Sequence, residues 1–335
     1  MSRSAAGSPA RASGHARHAS TTPRPRVATT TDPVSGRRQV VPPPGVSVWD
    51  LRSGRYRRLL RGVYVSASVP VTPVVAARAG LLVAGPAGVA SHHTAARVWG
   101  AVVPDDGLVH VTGHTRPRGA GLRAHRPKPG QRGTTRHGIR LTTPASTFLD
   151  LSDDLGLVDL VVAGDSLVRA GVVTPTQLVE ASAAYRGRAR RLARRAASLV
   201  RAAVDSPMET RLRMLMVLAG LPGPVVDHRI RWPDDRVRFR FDLSFPDARL
   251  VIEYDGRHHA ESDDQWDSGI DGREWMDGDG WRLVVVRSKD LYRTPARTLG
   301  RIAAAMRDQG MHVPRLSDAW RLHFPSLPED LAVPA

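Results

Sequence analysis

The chain has 335 residues, 49 Lys+Arg against 32 Asp+Glu, a formal charge of +17 and no cysteine. That length exceeds one ordinary core and points to two domains with tails. The missing cysteine excludes disulfides, thiolate metal sites and cysteine nucleophiles and suits a reducing cytoplasm, and no apolar run reaches the ~18 residues of a spanning helix. Only Lys128 and Lys289 are lysines, so the excess of base is arginine, which genome composition can feed as well as selection. Its distribution says more: residues 205–309 carry a net charge of −2 and the rest +19. A basic part suited to a polyanionic partner is thus followed by one that holds most of the acids.

In chain order, residues 1–45 read as a disordered basic tail, with seven Arg, one acid and many Ser, Thr, Pro and Ala. A transit peptide has similar composition, whereas a secretory signal is excluded by the missing apolar stretch. A small α/β domain is expected over 46–185. Residues 46–66 read as a basic hairpin in which Arg52, Arg55, Arg57, Arg58 and Arg61 alternate loosely with Leu51, Tyr56, Leu59, Leu60 and Val63. Helical spacing follows over 73–84 and 91–100, with Ser91 as N-cap. Short strands are expected at 108–112 and 138–142, and helices at 144–151, 155–169 and from Thr174-Pro175 to Tyr185.

Residues 186–204 form an Arg-rich connector. The stretch 186–201 has seven Arg and no acid, with a narrow apolar stripe at Leu192, Ala196, Leu199 and Val200. Two readings stay open: a phosphate-contacting helix or interdomain arm through Arg190, Arg191 and Arg194, or a solvated connector with a little core contact. From 205 to 309 the order α-β-β-β-α-β-α is expected, a compact mixed α/β domain, and 310–335 reads as a Pro-punctuated tail.

The carboxylates of this last domain carry the chemistry. Strand 237–245 alternates Val237, Phe239, Phe241, Leu243 and Phe245 with Arg238, Arg240, Asp242 and Ser244. The turn sequence Pro246-Asp247-Ala248-Arg249 leads into a second strand, and pairing Phe245 with Leu250 sets Asp242 opposite Glu253 and Arg240 opposite Asp255. Two carboxylates face to face destabilise a sheet. A hard divalent cation held by carboxylates and waters offsets the repulsion, with Asp255 as a third donor. Neutralisation of a solvated face by Arg238 and Arg240 is the alternative. Glu209 closes a Ser206-x-x-Glu209 capping box, which accounts for it by itself, although it also stands where it can project toward the cluster. His258 and His259 follow in the loop after Asp255-Gly256, where an imidazole can contact a phosphate or protonate a leaving group.

At these residues the chain resembles the very-short-patch-repair-like branch of the PD-(D/E)XK endonucleases. The matching segments are SPMETRLRMLMVLAGLP, FDLSFPDARLVIEYDGRHH, the helix with Arg273 and Glu274, and GWRLVVVR. The resemblance implies a restriction-endonuclease-like core and Mg²⁺- or Mn²⁺-dependent cleavage of DNA. It puts Asp242 and Glu253 on the metal-binding acids, Glu209 on the helix acid, and Asp255 and His259 on the Asp-Gly-x-x-His segment. One departure is plain: Asp255 stands where the superfamily's lysine orients the attacking water, and Lys289 does not match the motif position.

The amino-terminal half, through GRYRRLLRGVYVS, GVASHHTAARVWG and GIRLTTPASTFLDL, is similar to AbiE-type abortive-infection antitoxin regulators. That resemblance implies a winged helix before a small α/β domain. Only the wing-like basic segment with Arg55, Arg57, Arg58 and Arg61 is present, positioned to hold backbone phosphates. The resulting expectation is a DNA-directed metal-dependent endonuclease. A non-catalytic DNA-binding regulator and an RNA-directed nuclease are the rival readings.

Overall fold

The computed structural model describes residues 30–31, 38–39, 46–115, 117–255 and 275–325. The protein is a mixed α+β structure, and no helix among the described residues is long and apolar enough to cross a membrane. Near the amino terminus, β1 (Thr30–Thr31) pairs with β2 (Arg38–Gln39) in a two-residue antiparallel ladder.

The expected hairpin at 46–66 is a helix followed by a hairpin. Helix α1 (Val48–Arg52) forms because Ser47 Oγ accepts from Asp50 N at 3.0 Å while the Asp50 carboxylate accepts from Ser47 N at 2.8 Å, a complete capping box. Strands β3 (Tyr56–Leu60) and β4 (Val63–Ser66) then turn at Gly62, whose φ of 78° suits a residue without a Cβ. Leu60 and Val63 are buried against Ala79 of α2 (Pro73–Ala84), which leaves the arginines outside.

A five-stranded sheet has the order β7-β6-β5-β9-β8, with β5 (Val89–Ala90), β6 (Val109–Thr112), β7 (Leu122–His125), β8 (Gly133–Arg136) and β9 (Ile139–Thr142). β6 and β9 fall where the apolar alternation places them. β5, β7 and β8 are short and polar enough that alternation does not mark them. Gly80 lets α2 lie close on the Val109/Val111 side, since a Cβ there would meet Val109 Cγ1 at 2.6 Å and Val111 Cγ1 at 2.9 Å. Helices α3 (His92–Trp99), α4 (Pro144–Leu151), α5 (Leu157–Arg169) and α6 (Pro175–Ala184) complete this half. Threonine N-caps followed by proline open α2, α4 and α6.

The connector is part of the packing. Helix α7 (Arg190–Leu199) buries Ala193, Ala196 and Ala197 against α5 and α6. Small residues at that spacing let it approach its neighbours closely.

The second sheet, order β10-β11-β12-β13, is formed by Val225–Arg231, Val237–Phe245, Leu250–Asp255 and Arg282–Arg287. The expected antiparallel register holds for three pairs, Leu243 with Ile252, Ser244 with Val251 and Phe245 with Leu250, and stops before the expected pairs Asp242–Glu253 and Arg240–Asp255, while β12 and β13 run parallel. The five apolar residues of β11 do not form one layer, however. Leu243 and Phe245 belong to the main core, whereas Phe239 and Phe241 pack with Trp275 and Trp281. The β11–β12 ladder ends at Leu243–Ile252, and beyond it β11 pairs only with β10, so its first half covers different neighbours.

Helices α8 (Pro207–Leu218), α9 (Ser288–Tyr292) and α10 (Pro295–Asp308) cover this sheet. One continuous buried cluster runs from Ala77 to Phe324 and joins the two halves. A polar tie crosses it: Asp165 of α5 accepts from Arg201 N at 2.8 Å, Thr210 Oγ1 at 2.8 Å and the Arg213 guanidinium at 2.7 Å. The expected tail from 310 also differs in its first part, because Trp320 and Phe324 are buried in the same cluster. Their aromatic area outweighs the prolines that suggested an unpacked end.

Candidate functional site

Three elements converge on the carboxylates of the second sheet. Asp242 lies on β11, Glu253 on β12, and Glu209 in the first turn of α8. Glu209 is 7 % exposed. The Ser206 half of its capping box forms, with Ser206 Oγ accepting from Glu209 N at 3.1 Å. Its carboxylate reaches Asp205 N at 3.0 Å rather than Ser206 N. The cap therefore explains the start of the helix and leaves the carboxylate directed back over the sheet.

Burial is the main reason why the Asp242 carboxyl is pushed up to about 7, and the negative charges of Glu209 and then Glu253 add to it. Arg240 opposes the effect only in part, since its guanidinium is engaged by Asp227 and Asp205. The expected partnership of Arg240 with Asp255 is thus replaced. Asp255, at the end of β12, instead takes Arg287 Nε at 3.0 Å, its neighbour across the parallel β12–β13 ladder. Lys289 is exposed at the start of α9. The charges of Glu209 and Glu253 act on Asp242, while Asp255 stands at the margin in a surface ion pair. His259, with His258, Arg273 and Glu274, lies outside the described residues.

The arginines expected to meet nucleic acid divide into two groups. Arg55, Arg57, Arg58 and Arg61 are all exposed on the β3–β4 hairpin, with Arg55 paired to Asp50 and Arg57 donating to Ala67 O at 3.2 Å. Arg190 and Arg191 are exposed on α7. Arg194 has a structural task instead: it donates to Ser182 O at 3.2 Å and Ala183 O at 3.1 Å, satisfying carbonyls at the end of α6.

A second cluster was not legible as a site. On β6, His110 and Thr112 share one face of the sheet, and His125 stands opposite Thr112 on the parallel neighbour β7. The start of α3 lies over that face with His92 and His93. Ser91, expected as an N-cap, makes no side-chain cap bond. Its Oγ serves His92 Nδ1 at 2.9 Å and Thr112 Oγ1 at 2.8 Å. His110 bridges two partners, Asp106 Oδ2 at 2.6 Å from Nε2 and His125 Nε2 at 3.0 Å from Nδ1.

Among the described residues, the only two groups that bring three His or acid ligand atoms within 4.8 Å of one another are here: His92/His110/His125 and His93/Asp106/His110. Burial lowers the proton affinity of all four imidazoles, that of His125 to about 3, so they are neutral near pH 7. A cleft of about 350 Å³ opens beside His92 and His125, lined also by Arg123, Arg126, Lys128 and Arg188. The four histidines come from three separated segments with no local ligand spacing. Buried polar residues alternating with Val109 and Val111 are the one signal in the sequence.

Two proteins of Mycobacterium tuberculosis are similar to the chain: Uncharacterized protein MT2308 of strain CDC 1551 / Oshkosh and Uncharacterized protein Rv2248 of strain ATCC 25618 / H37Rv. Each is 27% identical over 221 residues, which is 63% of this chain and 78% of the relative. No family model matches the chain, and no solved structure matches it significantly. Neither relative's name states an activity, so a functional reading rests on the chemistry of the two clusters.

Proposed function

We propose that the protein is a metal-dependent DNA endonuclease whose centre is formed by Asp242 and Glu253, with Glu209 as an outer acid. The observation that carries this reading is the half-buried Asp242 carboxyl, pushed up to about 7 by burial and then by the charges of Glu209 on α8 and Glu253 on β12. Protonation of Asp242 or a bound cation relieves this repulsion, and an all-oxygen donor set suits Mg²⁺ or Mn²⁺. The resemblance of the surrounding segments to the very-short-patch-repair-like nucleases supports the same assignment.

When bound, a divalent ion supplies Lewis acidity at the scissile phosphate and acidifies a water. The chain's own residues do the positioning. Asp242 and Glu253 present carboxylate oxygens from paired strands, and Glu209, fixed by Asp205 N, sets the charge beside them. The exposed arginines of the β3–β4 hairpin and Arg190 and Arg191 offer phosphate contacts without base reading. Divalent-metal-dependent nicking of supercoiled plasmid by the wild type, lost in folded Asp242→Ala, tests the reading. Metal-independent or Asp242-independent nicking overturns it.

The alternative, a DNA-binding regulator without catalysis, is favoured by one feature. Asp255 occupies the place of the motif lysine and is tied to Arg287 at 3.0 Å, so no lysine stands beside the acids. DNA binding without nicking under any divalent ion is the result expected from that reading.

A further inference from the structure

The histidine cluster lies on the first sheet, on different elements from the carboxylates, and the nuclease reading makes no use of it. Burying His92, His93 and His110 beside a half-buried His125, with the exposed Asp106 at the edge, needs a reason, because unpaired buried polar atoms are costly. The partners found do not fully satisfy the group. His93 Nδ1 is buried without a hydrogen-bond partner and lies 3.9 Å from Asp106 Oδ2. His92 and His125 stack with ring centroids 3.5 Å apart. His92 also adopts φ +47°, a left-handed conformation that is uncommon outside glycine and gathers at functional positions.

We propose that His92, His110 and His125 bind one divalent transition-metal ion of the zinc class, with Asp106 orienting His110 from behind and an open coordination position toward the cleft. Donor chemistry selects the ion, because three neutral imidazoles and no thiolate suit Zn²⁺ and its neighbours rather than Mg²⁺. Geometry is close to what it needs. Zn–N bonds of about 2.0–2.1 Å at tetrahedral angles set ligand nitrogens roughly 3.3 Å apart. His110 Nδ1 and His125 Nε2 are already 3.0 Å apart, and all three ligand atoms fall within 4.8 Å. His92 and His125, stacked at 14° between planes, must tilt out of the stack for both nitrogens to face one ion, and the ion takes the place of the proton now shared between His110 and His125.

The pairing of His110 Nε2 with Asp106 at 2.6 Å leaves Nδ1 as the free donor and fixes the ring, the carboxylate–histidine arrangement that supports metal ligands. This use of His110 favours the His92/His110/His125 group over His93/Asp106/His110, which would need the same Nε2 for the ion. Three protein ligands and an adjoining cleft describe a site with room for a further ligand. Asp153 and Asp154 on the cleft wall pair with Lys128 and Arg123, so Arg126 and Arg188 are the cations that favour an anion there.

The test is calorimetric titration of ZnCl₂ into the full chain after dialysis against chelator, together with visible absorption of the Co²⁺-loaded protein. The wild type is expected to bind one Zn²⁺ and to give the ligand-field bands of a nitrogen-rich site with Co²⁺. Inorganic phosphate is expected to shift those bands if the open position faces the cleft; an unchanged spectrum overturns that part.

His125→Ala should lose the binding, and His125→Asn provides a smaller change if alanine disturbs the fold, which circular dichroism reports. Asp106→Asn should weaken affinity 10–100-fold while the Co²⁺ bands persist, a combination that a purely structural role would not produce. His93→Ala should bind normally, and so should Asp242→Ala, which separates this site from the carboxylates. Zn²⁺ binding that survives His125→Ala and His125→Asn, or disappears in His93→Ala or in Asp242→Ala, overturns the assignment, as does a wild type that binds no Zn²⁺.

Discussion

Replacing Asp242 by asparagine removes the charge that the fold holds least comfortably. Its carboxyl is raised from 3.8 to about 7, so ionising it in the folded protein costs about 4 kcal/mol more than in the unfolded chain, at 1.36 kcal/mol per pH unit. Partial solvent access and relaxation of Glu209 and Glu253 reduce this to roughly 2 kcal/mol or more. The direction follows from the raised value. The folded state holds the extra proton, so stability is fully present below about pH 4 and is lost as pH rises through about 7. Metal-free wild type should therefore lose about 2 kcal/mol more than Asp242→Asn between pH 4 and pH 8, the raised Asp150 acting in both proteins alike.

Urea unfolding at the two pH values, with a common m-value, measures the difference. At pH 8 the variant should be the more stable by about 2 kcal/mol, and at pH 4 the two should be close. Addition of Mg²⁺ or Mn²⁺ at pH 8 should reverse the order, because a ligand bound only to the folded wild type stabilises it by mass action. The reasoning is refuted if Asp242→Asn is equally destabilised at both pH values, or if the metal stabilises both proteins alike.

Lys289→Ala should retain nicking and Glu253→Ala lose it on supercoiled plasmid, since Lys289 is exposed on α9 rather than beside the acids; equal loss in both folded variants shows that the lysine acts. Changing Arg57, Arg58 and Arg61 together to alanine should weaken duplex binding for all sequences alike and flatten the log Kd against log salt plot by about 0.9 for each phosphate no longer neutralised. Asp165→Ala should cost about 3–5 kcal/mol in chemical denaturation, because it leaves Arg213 charged and unpaired in the interior. Trp320→Ala should cost a similar 3–5 kcal/mol if residues up to 325 are part of the core; a change within about 0.5 kcal/mol, typical of surface positions, refutes that packing.

Local signals determined much of this protein before any packing was known. Threonine followed by proline marks the starts of α4 and α6, and alternation over 237–245 with the turn at Pro246–Arg249 sets the β11–β12 register. These features act within a few residues, through backbone geometry and side-chain periodicity, so the linear chain carries them. The same register predicted Asp242 opposite Glu253, but the β11–β12 ladder ends one pair short of them, and only their charges are seen to act on each other.

Interactions between distant segments were decided by tertiary structure alone. The apolar stripe marks the inner face of the connector, but how deeply it and the first part of the tail are buried depends on apolar surface that α5, α6 and α8 offer from elsewhere. Arg240 turns to Asp205 and Asp227, and Asp255 to Arg287, because those partners arrive from other elements. The histidine cluster is the clearest case: α3, β6 and β7 each supply a polar residue that is ordinary where it stands. Only the crossing of a helix over one face of a sheet brings the nitrogens within bonding reach.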